Sequence, residues 1–444
     1  MTNSIAFRAV LIFVLTISML VPLLMIDDIV RDRGRLYRTV TNNIAQQWAG
    51  EQTFSGPILS VPYTFIQMKE EKVKNEDGTY TYIKRPIEYS DTFFLLPDNL
   101  EIDGSLAPEK RRRGIYESVV YASELKVAAQ FGKPDFKSLN INPKTIYWDR
   151  STLHFGLSET KGINDDVKLT VNKQSLSLNS GTGIADFIGN GFSAPISKAA
   201  KNNFDLELTL PIRGSQAFYF TPFGKRTKVS INSSWPSPSF TGTSLPTERE
   251  ISQDGFSAKW ATSHLARSYP QAWIRSQSKS VSKMMKVKSG IRLVEPVWLY
   301  LQTERSIKYA ILLIGLTFLG VLMLEHGFKL RFHPVQYGVV ASALTMVYLL
   351  ILGLSEHIGF SLAYLIAAST VVLMTSAYAH ASLRAIKLTA WLTAVLATLF
   401  GVLYVILNME DYALLSGSIL MMVVIAILMI TTRNLSTKAN QTSN

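Results

Sequence analysis

The sequence predicts a membrane protein: an α-helical transmembrane bundle of six spans plus a large, mainly β extracytoplasmic domain. Three observations carry that reading. Six stretches are apolar, a long polar stretch separates the first from the second, and Lys and Arg are one-sided in the short loops. A helical span needs about 20 predominantly apolar residues to cross a hydrocarbon core of about 30 Å. Residues 6–26, 308–324, 335–354, 360–379, 386–407 and 412–430 qualify, and nothing within 27–307 does.

The first stretch exceeds the apolar core of a signal peptide, about 7–15 residues. Asp27-Asp28 follows it where a small-residue cleavage site would stand, so an uncleaved anchor over 1–26 is expected. With the N-terminus in the cytoplasm, the cytoplasmic segments hold Arg8, Lys329, Arg331, Arg384, Lys387, Arg433 and Lys438. The opposite short loops hold Glu356, His357, Glu410 and Asp411, and no Lys or Arg. That is the positive-inside pattern. It predicts cytoplasmic termini and a domain that faces outward, into a periplasm-like space. The exception is Arg31, Arg33, Arg35 and Arg38, just outside the first span; long translocated domains are largely exempt from the rule. Trp391, Tyr337, Trp298, Tyr404 and Tyr412 fall near span ends, where an interfacial aromatic belt is expected.

Residues 29–48 place Ile29, Leu36, Val40, Ile44 and Trp48 at helical spacing. Short alternating runs follow at 80–83, 115–120, 167–171, 204–210 and 228–231. Turns are expected at 77–78 and 99–104, and Pro236 and Pro238 mark loops or strand edges. This predicts antiparallel sheet, divided into two lobes near 133–143, where Gly132, Pro134 and Pro143 cluster. Residues 271–289 lose the period and read as a flexible connection or a partner-facing strand. A helix is expected within 293–307, after Pro296. The domains are then 1–26 (anchor), 27–307 (periplasmic), 308–430 (five-helix bundle) and 431–444 (cytoplasmic polar tail).

There is no cysteine, which excludes disulfides, thiolate metal sites and cysteine nucleophiles. The chain carries a formal charge of +12, and residues 27–307 hold 37 Lys and Arg against 29 Asp and Glu. A basic domain beside a bilayer favours anionic headgroups or an anionic envelope polymer. The basic residues show no nucleic-acid recognition pattern, so no nucleic-acid partner is expected.

Four phrases, in order along the chain, resemble the CreD-type inner-membrane proteins. They are QTFSGPILSVPY (52–63), RRRGIYESVVY (111–121), GSQAFYFTPFGKRTKVSINSSWPSPSF with LPTEREISQDGFSAKW (214–240 and 245–260), and EPVWLYLQTERSIKYAILLIGLTF (295–318). The resemblance implies one N-terminal anchor, an outward domain and a C-terminal helix bundle. It also implies a role in envelope integrity, in the context of a two-component system responding to envelope stress. It assigns no reaction and no functional residues.

The search for chemistry returns little. The stretch 181–191 is glycine-rich but lacks phosphate-loop spacing and reads as a solvent loop. Ser280 and Lys283 match S-x-x-K without companion motifs. The six histidines, at 154, 264, 326, 333, 357 and 380, show no ligand spacing, and no metal or cofactor is expected. Glu325-His326 and Glu356-His357 lie at span ends, where ionisable groups reach headgroups. The spans carry Thr317, Ser342, Thr345, Ser369, Thr370, Thr375, Thr393 and Thr398, a pattern that serves helix packing more often than transport. A hydrolase would need a Ser or carboxylate dyad assembled only in space. The expectation is therefore a non-enzymatic inner-membrane protein acting through its periplasmic domain. Its partners are the bilayer and an envelope protein or anionic polymer, and Arg31, Arg33, Arg35 and Arg38 contact anionic lipid. The alternative is a transporter or lipid-handling protein that uses the bundle. Arg111, Arg112 and Arg113 form a second, weaker anion candidate.

Overall fold

The first apolar stretch folds as a helix that does not stop where the hydrophobicity does. In the computed structural model, α1 (Ile5–Ser18) and α2 (Leu20–Gln47) are separated only by Met19. The Met19 N–H donates to Leu15 at 3.1 Å and its carbonyl accepts from Leu23 at 3.2 Å, so the ladder continues. The structure describes residues 5–74, 76, 80–136, 139–280, 284–293, 298–328, 333–383, 385–409, 415, 417–419, 421–422, 425–426 and 429. The expected turn at 77–78, Lys283 of the S-x-x-K match, and most of the sixth expected span with the tail lie outside these. The chain divides into two compact units, Met1–Arg38 with Pro296–Asn444, and Thr39–Glu295. The β unit is thus shorter at both ends than the expected 27–307.

The first unit adds α3 (Trp298–Lys308), α4 (Ala310–Phe328), α5 (Pro334–Ile358), α6 (Phe360–Leu383) and α7 (Ile386–Asn408). Among the described residues, four helices are long and apolar enough to cross a membrane, or five if the pair Leu299–Lys308 and Ala310–Leu322, bent by 42°, counts as one span. Helix α5 packs on α3 and α6, α7 on α6 and α4, and α1 on α4 and α5. The buried seams use Ala341, Ala363, Ala367 and Ala379. Small side chains let helix backbones approach where lipid supplies no hydrophobic contrast. Tyr337, expected in the aromatic belt, is instead 5% exposed with its ring edge-on to Phe318.

The second unit opens with β1 (Gln52–Lys74), β2 (Tyr80–Leu95), β3 (Asn99–Arg113), β4 (Tyr116–Phe131), β5 (Thr145–Ile146) and β6 (Thr152–Leu157). Next come β7 (Lys168–Val171), β8 (Gln174–Leu176), β9 (Asn179–Ser180), β10 (Gly191–Pro195), β11 (Phe204–Ser215) and β12 (Ala217–Phe220). The last six are β13 (Arg226–Ser233), β14 (Pro238–Gly242), β15 (Glu248–Ser252), β16 (Gly255–Ser263), β17 (Ala272–Ile274) and β18 (Ser289–Leu293). One sheet runs β14-β18-β12-β1-β6-β10-β9, with β2 and β5 on β1 and β17 on β2; the other runs β15-β16-β13-β3-β4-β11-β7-β8. Pro238 opens an edge strand, where a missing N–H is tolerated.

The expected division into two lobes near 133–143 is not where the sheets part. Strand β4 precedes that stretch and β11 follows it, yet they pair from Phe131↔Phe204 to Val120↔Ser215. The chain moves repeatedly between sheets, and one apolar cluster serves both. Phe220 of the first sheet lies edge-on to Trp260 of the second, with ring centroids 5.5 Å apart.

Residues 99–104, expected as a turn, begin β3. Leu100 and Ile102 enter the core while Glu101 and Asp103 face out. Residues 271–289 are not a free connection: Trp273 is 3% exposed and stacks on Phe94 at 5.3 Å, and Met284 is buried. The 181–191 stretch is not a solvent loop either. Ile184, Phe187 and Ile188 are buried, and Phe187 lies edge-on to Phe94 at 5.0 Å.

Candidate functional site

The outer face of the second sheet of the β unit is polar, and its register explains its shape. One row across the strands reads Glu248, Lys259, Ser230, Asp103, Lys126, Thr209, Lys168. The adjacent row reads Ala261, Lys228, Glu101, Ala128, Glu207. Alanines on either side of the Lys228–Glu101 pair leave two adjoining depressions. One, of about 340 Å³, includes Asp103, Ser230, Thr247, Glu248, Lys259 and Ala261 in its lining. The other, of about 330 Å³, includes Asn99, Ala128, Gln130 and Arg226. Both share Glu101 and Lys228. The pairing is loose at the centre, 3.8 Å for Lys228–Glu101, and tighter at the rim, 3.0 Å for Lys259–Glu248. Exposed pairs of this kind add little stability, about 0–1 kcal/mol each. The face is better equipped to exchange its ion pairs for bonds to a polar ligand than to hold the fold.

The four predicted arginines are all exposed on α2. At 100° per residue, Arg31, Arg35 and Arg38 share one face with Asp27, and Arg33 points elsewhere. Arg31 pairs with Asp27 at 2.8 Å and Arg35 with Asp32. The helix therefore presents a stripe of mixed sign rather than bare positive charge.

Arg111 and Arg112 are likewise neutralised locally. Arg111 pairs with Glu109 at 2.6 Å, and Arg112 with Glu117 at 2.5 Å. What the sequence did not reveal is that Arg111 and Arg213 both lie against the Trp48 indole, 4.6 and 5.0 Å from its ring. Cation–π contact of this kind stabilises by about 0.5–2 kcal/mol. It draws together the end of α2, the β3 hairpin and β11.

A Ser–His pair is present, but sunk. The Ser60 hydroxyl sits 2.6 Å from His154 Nε2, and Nδ1 meets the Thr182 carbonyl. Nδ1 must donate to a carbonyl, so Nε2 accepts from Ser60. Burial pushes the imidazole pKa down to about 4, against the Thr182 bond and with help from nearby Arg275. His154 is 4% exposed and Ser60 7%, beneath the cover formed by 182–188. The pair has the polarity of a nucleophile and base but not the access, and it fastens that cover to the sheet. Its partners stand 94 and 28 residues from His154, and no local motif marks them.

In the helical unit, Tyr300 donates to Glu356 at 3.0 Å, tying α3 to the end of α5. Glu356 is thus held by a partner helix rather than simply reaching for headgroups. The side chains of Glu325 and His326 lie outside the description. The span hydroxyls turn back on their own helices: Thr317, Ser342, Thr345, Thr370, Thr393 and Thr398 each bond the carbonyl four residues earlier at 2.8–2.9 Å.

Apolar helices joined in one chain to a large β unit with a charge-laced outer face define a multi-span membrane protein with a β-rich domain. The family model for Inner membrane protein CreD matches residues 4–437. Inner membrane protein CreD of Escherichia coli (strain K12) is 30% identical over 426 residues, covering 96% of this chain and 92% of that protein. The chain belongs to the CreD family of inner membrane proteins, as its four phrases indicated.

Proposed function

We propose that this protein is a non-enzymatic component of envelope integrity that acts through its β unit as a binding domain. It crosses the inner membrane six times with both termini cytoplasmic, and the β unit faces the periplasm. The observation that carries the reading is the outer face of the second sheet. Opposite charges stand on neighbouring strands at Glu248 and Lys259, Asp103 and Lys126, and Lys228 and Glu101, and two depressions flank the Lys228–Glu101 pair. Such a face suits a polar envelope polymer or a protein partner. Arg31, Arg33, Arg35 and Arg38 stand on the helix that leaves the first span, where anionic headgroups are within reach.

Replacing Glu101, Lys228 and Lys259 together by Ala tests this. In a deletion strain the variant, at wild-type abundance, is expected to lose protection against dye leakage under detergent stress. Full protection would remove the face from the function. The absence of cysteine also allows a topology test: Ser175→Cys is expected to react with an impermeant thiol reagent added from the periplasmic side, and labelling only after lysis would invert the orientation.

Two observations favour a second reading, in which the bundle handles a lipid or other uncharged substrate. The α3–α4 pair is bent by 42°, and the fully buried Tyr348 hydroxyl has no hydrogen-bond partner among the described residues. Tyr348→Phe would then abolish function without loss of protein, whereas the binding-domain reading expects wild-type protection.

A further inference from the structure

The two depressions on the outer face of the second sheet differ in the charge they leave unneutralised. Five charged side chains line the first, and the pairs Lys228–Glu101 and Lys259–Glu248 account for four of them. The fifth, Asp103, has no ion-pair partner among the described residues. Lys126 stands opposite it in register but turns its ammonium to Glu124 at 3.7 Å. The second depression is lined by the shared Lys228–Glu101 pair and by Arg226, which likewise has no carboxylate partner among the described residues.

Arg226 is held by amides instead. Its Nε–H donates to Asn99 Oδ1 at 3.2 Å, and the Asn99 amide donates in turn to Gln130 Oε1 at 2.7 Å. That chain orients the guanidinium and leaves its two NH2 groups for a planar, bidentate acceptor such as a carboxylate. Asp103 is the complement: an exposed carboxylate that only accepts, with the Ser230 hydroxyl beside it in register, suits an ammonium.

The register also sets the spacing. Strands β3 and β13 run parallel, with Arg226 opposite Asn99 and Ser230 opposite Asp103, so the two charges stand four residues apart along the strands. At 3.3 Å per residue that is about 13 Å. A polyanion is repelled by the unpaired carboxylate of the first depression, and a polycation by the unpaired guanidinium of the second. Trp260, the aromatic side chain that lines the first, is buried, and the second has none, so a base finds no stacking platform. An extended peptide of four residues carries its own ammonium and carboxylate about 13–14 Å apart, at 3.3–3.6 Å per residue. It matches the face in sign and in length.

We propose that the two depressions form one site for a short, extended, zwitterionic peptide, its carboxylate on Arg226 and its ammonium on Asp103; this rests on the reading of the outer face as the binding surface. The test is saturation-transfer NMR of tetra-alanine with the full chain in nanodiscs. Wild type is expected to bind tetra-alanine about tenfold or more tighter than its N-acetylated or C-amidated form, each of which lacks one charge-assisted contact. Di-alanine, too short to reach both charges, is expected to bind no better than the blocked forms. Arg226→Gln is expected to lose the preference for a free carboxylate and keep that for a free ammonium, and Asp103→Asn the reverse. The blocked peptides need no variant, so misfolding of either variant leaves the test intact. Equal binding of free and blocked peptides, or no binding of tetra-alanine, would overturn the proposal. The leakage assay separates this from the broader reading: if tetra-alanine fails while the Glu101, Lys228 and Lys259 variant still loses protection, the face works on another ligand and only the peptide assignment falls.

Discussion

His154 shows what a single residue contributes when its surroundings hold it neutral. Its folded pKa is down to about 4, below the ordinary 6.5, so between those values the unfolded chain binds a proton that the folded chain refuses. Stability is therefore complete above about pH 6.5, falls as pH drops toward 4, and stops falling on this account below 4. The slope is about 1.4 kcal/mol per pH unit, and the total is of order 3 kcal/mol. The melting temperature of the detergent-solubilised protein, followed by Trp fluorescence, is expected to fall more steeply across this window in wild type than in His154→Gln. Parallel pH profiles would show that His154 is not held neutral. None of this was legible in the sequence, where His154 is one of six scattered histidines. Gly191 is a similar case, because a Cβ there would sit 1.9 Å from the Phe155 carbonyl oxygen at φ +148°. A glycine-rich stretch read as solvent loop is in fact packed against a central strand, and only the three-dimensional approach reveals it.

At the scale of elements, periodicity carried far and failed where polarity misled it. The alternating runs at 80–83, 204–210 and 228–231 lie within strands, those at 115–120 and 167–171 enter theirs one residue late, at Tyr116 and Lys168, and the helix over 29–48 forms as Leu20–Gln47. The stretch 99–104 failed because Asn99, Asp103 and Gly104 resemble turn residues. A strand with one solvated face accepts the first two outside, and Gly104 fits inside where a Cβ would meet Ile231 and Leu125 at 2.8 Å. The stretch 271–289 failed because its polar residues hide two core side chains, Trp273 and Met284. Strand β17 has three residues, and its hold depends on Trp273 against Phe94 and Phe187. Trp273→Ala is expected to destabilise the β unit by about 3–5 kcal/mol, the range for removing a buried aromatic. It should also expose the 182–188 cover to limited proteolysis. An unchanged melting temperature and digestion pattern would mean that β17 is not what closes this side of the sheet.

At the scale of the whole molecule, hydropathy alone marked the helical unit, because lipid imposes a length and a composition that few other constraints mimic. It could not say that α3 would be a separate, bent segment tied to α5 by Tyr300 and Glu356, since that bond joins residues 56 apart. The polar face of the second sheet was equally hidden. Each of its charges is unremarkable along the chain, and only the register lines them into rows with alanines between. The account places the protein's work in the β unit and leaves the bundle to anchor it. The most direct test is rescue of a deletion strain by residues 1–307 beside the full chain, at matched abundance, read as dye leakage under detergent stress. Protease resistance of the β unit would confirm that the truncated chain is exported and folded. Protection equal to the full chain is the predicted result. Failure of a folded, exported truncation would contradict the account and move the activity into the helices.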